Sequence, residues 1–388
     1  MNSTPLPPVL SFDAATFMEH ASMMSREHIL TRLAQKTLVL HSTPPQGRHQ
    51  NVNRAGYTKL QNNLYHYINP PLLPKVYRST WLESVFSKLR SVHRKALLAK
   101  ISGHNGSPIL YLWHPVFSNE IGRYNESLII YHIYDDYPNL PGATQDLANK
   151  EIDILKRADI VFCANKSLIE AREKIVPREY IHLPQGVDFS AFSKSLENTT
   201  QPSDIVTISH PRIGYIGRIN KKVNLDLIDQ IAAKNETWNF IFVGPLDREV
   251  ANSMEIKSLS SKGNTHFLGP KDYKNVPDYW NAIDIAIIPY NHEPGQWAFY
   301  GSPLKLQEAF AAGKCVVISP LNEAQAYGDL IKVAETSENW INAIEGALTE
   351  IDDEKKIKER VDYAAINSWD SRVSFIEKTI RGNLNKPK

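Results

Sequence analysis

The feature that most constrains this chain is an alternation that runs along nearly all of its 388 residues, with apolar runs of strand length separated by amphipathic stretches of helix length. Strands buried on both faces read as near-continuous Val, Ile and Leu, and a helical crossover returns each to lie parallel to the last. The pattern therefore predicts an α/β protein with parallel sheets covered by helices. Strands are expected at 9–12, 37–40, 64–68, 109–113, 127–134 and 159–164, with helices at about 19–34, 80–102, 144–157 and 167–175. The polar stretch 193–204 has no apolar periodicity and reads as a domain boundary. The alternation restarts with strands at 212–216, 239–243, 265–268, 284–289, 316–319 and 330–333 and helices near 223–233, 247–260, 277–282, 303–312 and 336–350. Two Rossmann-like domains follow, 1–195 and 205–365, with a terminal amphipathic helix in 366–388 carrying Trp369, Val373, Phe375, Ile376 and Ile380.

Length agrees, because a chain of this size exceeds what one core usually covers. No apolar run approaches the roughly 18 to 20 residues of a membrane span, and residues 1–12 lack a basic region followed by an apolar one, so a cytoplasmic location is expected. Cys163 and Cys315 each lie in an apolar strand-like run and read as buried free thiols rather than a disulfide or metal set. The overall charge of +2 conceals an asymmetry: residues 1–110 hold thirteen Lys and Arg against four acids, +9, leaving −7 for the remainder. One face of the N-terminal half is expected to meet something anionic.

Two stretches of the second half carry chemistry. In Gly214-Tyr215-Ile216-Gly217-Arg218-Ile219-Asn220-Lys221-Lys222 glycines end a strand and a basic loop leads towards a helix, an arrangement that lets backbone approach an anion. A helix terminus contributes only about 0.3 to 1 kcal/mol, so Arg218 and Lys222 are expected to supply further positive charge. In Ser302-Pro303-Leu304-Lys305-Leu306-Gln307-Glu308, Ser302 reads as the N-cap and Pro303 as the first helical turn. Lys305 and Glu308, three apart, share one helix face: the cation suits phosphate, and the carboxylate can accept hydrogen bonds from two ribose hydroxyls. The bland alternative is an exposed surface ion pair.

These stretches, together with Lys314-Cys315-Val316-Val317 and Pro184-Gln185-Gly186-Val187-Asp188, resemble the hallmarks of bacterial GT-B glycosyltransferases. Within that fold the chain looks closest to the branch holding teichuronic-acid-type enzymes and the xanthan glucuronosyltransferase. The likeness covers about residues 105–380. It implies two Rossmann-like domains facing across a cleft, with acceptor on the first, a nucleotide-sugar donor on the second, and the terminal helix crossing back to the first. It further implies Lys305, Arg218 and Lys222 near the donor phosphates, Gly217 and Ser302 beside them, Glu308 on the ribose, and the nucleobase against main chain around Pro270. Retaining relatives carry a Glu eight positions before the ribose Glu; this chain has Tyr300, and Glu293 in the same loop is the candidate substitute.

Asp135 and Asp136 end the strand at 127–134. In the xanthan-type enzymes the position matching Asp135 is the proposed base, and a carboxylate at a strand's carboxyl end suits that role. Acceptor positioning by Asp136, a structural turn cap, and metal binding are the other readings; no further metal-ligand cluster is evident, so neither a metal nor another cofactor is expected. Ser25-Arg26-Glu27-His28 is a second candidate acceptor contact, through His28. Residues 88–100 interleave basic and apolar residues at helical spacing, which fits either a helix on an anionic membrane surface or a solvated basic face. The expected activity is transfer from a nucleotide sugar, UDP-linked, to a surface polysaccharide or lipid-linked acceptor. The rivals are a nucleotide-sugar epimerase and a binding subunit with reduced turnover. Nucleic-acid binding is disfavoured, as no recognisable module accompanies the basic half.

Overall fold

The computed structural model describes residues 5–14, 24–44, 56–70, 72–73, 80–103, 106–140, 142–197, 201–292, 303–322 and 324–386. Among these, the chain divides into two compact units. Met24–Pro184 joins the N-terminal strand and Arg372–Lys388 in the first; Gln185–Ser371 forms the second.

In the first unit β1 (Val9–Phe12), α1 (Ser25–Leu33), β2 (Val39–Ser42), β3 (Tyr57–Gln61), β4 (Leu64–Tyr67) and α2 (Thr80–Ser102) precede β5 (Ile109–Leu112). β6 (Leu128–Ile133), α3 (Gln145–Arg157), β7 (Ile160–Cys163), α4 (Lys166–Glu173) and β8 (Ile181–His182) follow. The sheet order is β3-β4-β2-β1-β5-β6-β7-β8, parallel except for β3 against β4. That hairpin turns at Asn62-Asn63, where Asn63 takes φ of 60°, a conformation that Asn tolerates better than most residues. Leu10, Phe12, Leu110, Leu112, Tyr131 and Val161 are buried in its core. All four residues of β1, β5 and β7 are buried, and all but Ser11 are apolar, as expected of strands covered on both faces.

The second unit contains α5 (Phe189–Ser193), β9 (Arg212–Ile216), α6 (Leu225–Lys234), β10 (Asn239–Val243), α7 (Met254–Ser261), β11 (Thr265–Gly269) and α8 (Val276–Ala282). It continues through β12 (Ile285–Ile288), α9 (Leu304–Ala311), β13 (Cys315–Ile318), β14 (Ile331–Val333), α10 (Ser337–Leu348), α11 (Glu354–Ile366) and the start of α12 (Trp369–Leu384). All its strand pairs are parallel, in the order β11-β10-β9-β12-β13-β14. That is the Rossmann order, which reverses direction between β9 and β12.

The change of unit falls at Pro184 and Gln185, ahead of the polar stretch from which the sequence places it. The reason is packing: Phe192 and Ile205, which bracket that stretch, are both fully buried in the second unit's core. The Pro184–Asp188 segment is held by the returning chain. Trp369 N donates to Val187 O at 2.9 Å and Val187 N to Asn367 O at 3.3 Å. A Cβ on Gly186 would lie 2.8 Å from the Trp369 ring, so glycine is needed there for close approach rather than for an unusual φ.

Candidate functional site

Ligands of doubly wound sheets bind beyond the carboxyl ends of the strands where the order reverses. In the second sheet that point lies between β9 and β12. The loop leaving β9 is stitched to both neighbours. Gly217 N donates to Val243 O at 2.8 Å and Ile219 N to Pro245 O at 2.9 Å, while Asn224 N donates to Pro289 O and Asn291 N to Lys222 O, both at 2.7 Å. The loop is thereby fixed without being the start of a helix. Here the structure corrects the sequence reading: α6 begins only at Leu225, and Asn224 caps it by accepting from Leu227 N at 3.0 Å. The backbone donors of Asn224, Leu225 and Leu227 at that helix start are engaged within the protein.

Two glycines set the floor. Gly217 and Gly244 adopt φ of 143° and 142°, values that L side chains rarely take. A Cβ on Gly244 would come 2.2 Å from Gly217 O, so the strand ends touch backbone to backbone. A Cβ on Gly217 would lie 2.8 Å from Lys305 Cε, because the Lys305 side chain lies across it.

Lys305 sits in the first turn of α9, where the helix dipole disfavours a cation. Three contacts compensate. Its ammonium donates to the Tyr290 hydroxyl and stands 4.8 Å from the Tyr215 ring centroid and 4.9 Å from that of Tyr290. Tyr215 is held in turn by donating to Arg218 O at 2.8 Å, and burial raises its phenol pKa well above the ordinary value, which keeps it a neutral donor. Glu308 lies one turn on, half-buried, and accepts from the indole Nε1 of the fully buried Trp280 at 3.3 Å. Desolvation raises the Glu308 carboxyl to about 7, against the opposing effects of the Trp280 hydrogen bond and the Lys305 charge. Lys305 and Glu308 are therefore not an ordinary surface ion pair: a cation held by two phenol rings lies near a carboxyl poised between its charge states at neutral pH.

The remaining expected donor residues are distributed around this centre. Arg218 is exposed and pairs with Asp247 at 2.6 Å. Lys222 Nζ is 6.0 Å from the Tyr290 ring centroid. Pro270 is exposed just after β11, on the same carboxyl edge but two strands from β9, a distance of about 10 Å. Pro303 occupies the N-cap of α9, so the helix starts one position later than the sequence predicts. Ser302, Glu293 and Tyr300 lie outside the described residues. Tyr290, Trp280 and Gly244 go unnoticed in the sequence reading. Gly244 had a signal, since Val243-Gly244-Pro245 ends a strand as Ile216-Gly217 does; Trp280 had none, because its value depends on Glu308, which is distant in sequence.

In the first unit Asp135 and Asp136 follow β6 and have different environments. Asp136 binds Arg172 at 2.6 Å, and Arg172 in turn binds Glu151 at 3.0 Å, with Tyr131 Oη donating to Glu151 at 2.9 Å. Asp136 also accepts from Asn139 at 2.8 Å, closing the turn that follows. It is committed to structure. Asp135 is exposed. Tyr137 lies by it, its phenol pKa raised well above the ordinary value by burial first and then by the charges of Asp13 and Asp135. Asp13 follows β1, which pairs with both β2 and β5 at this sheet's own reversal point, and binds Arg26 of α1 at 2.6 Å. His114, after β5, stacks edge-on against Tyr137 at 4.6 Å. His28 is buried within α1, its Nδ1 3.3 Å from Arg32 Nη1, and Arg26 of the same helix joins this cluster through Asp13.

Residues 210–350 match the family model described as glycosyl transferases group 1. The chain is 33% identical over 177 residues to the putative teichuronic acid biosynthesis glycosyltransferase TuaH of Bacillus subtilis (strain 168), covering 44% of this chain and 43% of that protein. It is 29% identical over 140 residues to an uncharacterized 42.6 kDa protein in the cps region of Klebsiella pneumoniae, covering 35% and 34%. The matched stretches thus span less than half the length of these curated relatives. Solved structures match over nearly the whole chain. HepE from Anabaena in complex with UDP and glucose aligns at TM-score 0.68 and 16% identity, covering 96% of this chain and 99% of that one. Sucrose-phosphate synthase from Thermosynechococcus elongatus gives 0.67 and 14%, covering 97% and 98%. An α,α-trehalose-phosphate synthase (UDP-forming) from Burkholderia vietnamiensis gives 0.70 and 10%, covering 97% of each. The chain has the α/β fold of the GT-B kind.

Proposed function

We propose that this chain is a glycosyltransferase that moves a sugar from a nucleotide diphosphate sugar, UDP-linked, to a glycan or lipid-linked acceptor of a surface polysaccharide. The observation that carries the reading is the placement of Lys305 over Gly217 at the reversal point of the second sheet, with Glu308 one turn behind it. HepE, which shares the fold, is described in complex with UDP-glucose. In this reading Lys305 neutralises the diphosphate, with Arg218 and Lys222 adding charge at its margin, and Gly217 lets the phosphates approach the backbone. Glu308, once ionised, accepts the ribose hydroxyls. Asp135 takes the proton of the acceptor hydroxyl as its oxygen bonds the anomeric carbon and the bond from that carbon to the diphosphate oxygen breaks; the nucleoside diphosphate leaves with the electron pair. No metal is assigned a role, and the enzyme is assigned to the cytoplasmic side of an anionic membrane surface.

Calorimetry with UDP and a panel of UDP-, GDP-, ADP- and CMP-sugars tests the donor assignment. Lys305→Ala is expected to weaken UDP binding about tenfold to a hundredfold, the range of one charge-assisted hydrogen bond. Transfer is expected to persist in EDTA. Equal UDP affinity in the wild type and Lys305→Ala overturns the assignment.

A further inference from the structure

Helix α2 buries Leu97 and Leu98 in the core but departs from the usual amphipathic pattern elsewhere. Its inner face carries two buried arginines: Arg94 donates to both Glu120 oxygens at 3.1 Å and to Tyr124 Oη at 3.0 Å, and Arg90 binds Glu83. Its outer face is apolar. Trp81 is 71% exposed and Val92 66%, with Leu82, Val85 and Leu89 also exposed. At 3.6 residues per turn Trp81, Val85 and Val92 fall within roughly 40° of one another, and Leu89 and Leu82 continue the stripe over about 100°. Leu72, 86% exposed, sits in a turn held to the same helix by Arg90 Nη1 donating to Leu73 O at 3.4 Å. A contiguous exposed apolar stripe of this kind marks an interaction surface.

We propose that this face of α2 docks on an anionic lipid bilayer, lying in the plane of the interface with Trp81, Val85, Leu89 and Val92 among the acyl chains. Charge selects this occupant. Lys88 and Lys95 run along one edge of the stripe and Lys100 closes the other, all three exposed. The helix's single acid, Glu83, is bound by Arg90. A two-fold contact with a second copy would set these lysine rows close to one another, whereas an anionic headgroup layer neutralises them while their stems follow the apolar stripe. The helix lies on the bilayer rather than crossing it, since no helix among the described residues is long and apolar enough to span. The proposal deepens the membrane element of the function given above, and its test uses no nucleotide, so a failure here leaves the donor assignment to be judged separately by calorimetry in vesicle-free solution.

The experiment is co-sedimentation of the full chain with phosphatidylcholine vesicles, with and without phosphatidylglycerol. The wild type is expected to bind only the anionic vesicles and to be released by salt. Each lysine near the surface is worth about a fivefold change in partition, so Lys88→Ala/Lys95→Ala/Lys100→Ala is expected to bind about a hundredfold more weakly. Trp81→Ser/Val92→Ser keeps the charge and is expected to lose most binding as well; circular dichroism checks that both variants remain folded. The proposal is overturned by equal sedimentation with neutral and anionic vesicles, by no sedimentation with either, or by wild-type binding of either variant. A concentration-dependent dimer abolished by Trp81→Ser/Val92→Ser also overturns it, in favour of a second copy as the occupant.

Discussion

Replacing Glu308 by Gln separates what the carboxyl does for binding from what it does to stability. The raised carboxyl, about 7 against the ordinary 4.5, means that the folded protein holds a proton there which the unfolded chain has released between those two values. Stability therefore falls as pH rises from 4.5 through 7, and the ionised carboxylate above 7 costs on the order of 3 kcal/mol. Gln has nearly the same shape, can still accept from the Trp280 indole, and does not ionise. Glu308→Gln is thus expected to leave stability nearly unchanged at pH 5 and to raise it at pH 8, the difference between the two conditions amounting to roughly 2 to 3 kcal/mol. Each kcal/mol moves the melting temperature of a domain of this size by about 2–4 °C, so thermal denaturation followed by tryptophan fluorescence at the two pH values reads the effect directly. The same variant is expected to lose UDP binding, since the neutral amide is a weaker acceptor for the ribose hydroxyls than the carboxylate. Wild type and variant with parallel pH profiles refute the desolvation argument, because the penalty would then have to come from something other than the ionisation of Glu308.

Two further predictions concern the glycines and the paired acids. Gly244→Ala forces a Cβ against the backbone oxygen of Gly217 at a strained φ and is expected to destabilise by about 3 kcal/mol or more; Gly217→Ala meets only the flexible end of Lys305, so its larger effect is expected on UDP affinity. Both variants carry the penalty of a φ near 142°, so Gly217→Ala is also expected to lose stability, but less than Gly244→Ala, whose Cβ meets backbone; thermal denaturation and calorimetry of both distinguish the two. Asp136→Asn weakens the ionic cluster around Arg172 and is expected to lower stability by about 1 kcal/mol, whereas Asp135→Asn is expected to act mainly on turnover; the reverse pattern would move the base from Asp135 to its neighbour.

Much of the fold was legible because burial on both faces of parallel strands leaves a plain mark in composition: Ile160–Cys163 and Cys315–Ile318 are uninterrupted apolar runs, and the segments predicted around both are strands. The omissions have physical reasons. β3 is half-exposed, Tyr57–Gln61, and lacks the apolar run that marks an inner strand. α11 is rich in Lys and Glu and shows little periodicity until Arg360 is seen donating to Gly313 O at 3.1 Å from a buried position. Within the site, Lys305 and Glu308 were readable because three-residue spacing fixes a shared helix face whatever the surroundings.

By itself, then, the order of residues determined the strand-helix alternation, the two Rossmann-like halves, and the pairing of a cation with a carboxyl near the beginning of α9. These follow from periodicity and spacing, which are local. Only the tertiary structure decided that Lys305 rests over Gly217 between two tyrosine rings, that Trp280 supports and desolvates Glu308, that Asp136 belongs to Arg172 while Asp135 stays exposed, and that α2 turns its arginines inward and its tryptophan outward. Each of these depends on which distant side chains share a small volume, and charge, desolvation and exposure are properties of that volume rather than of any residue alone.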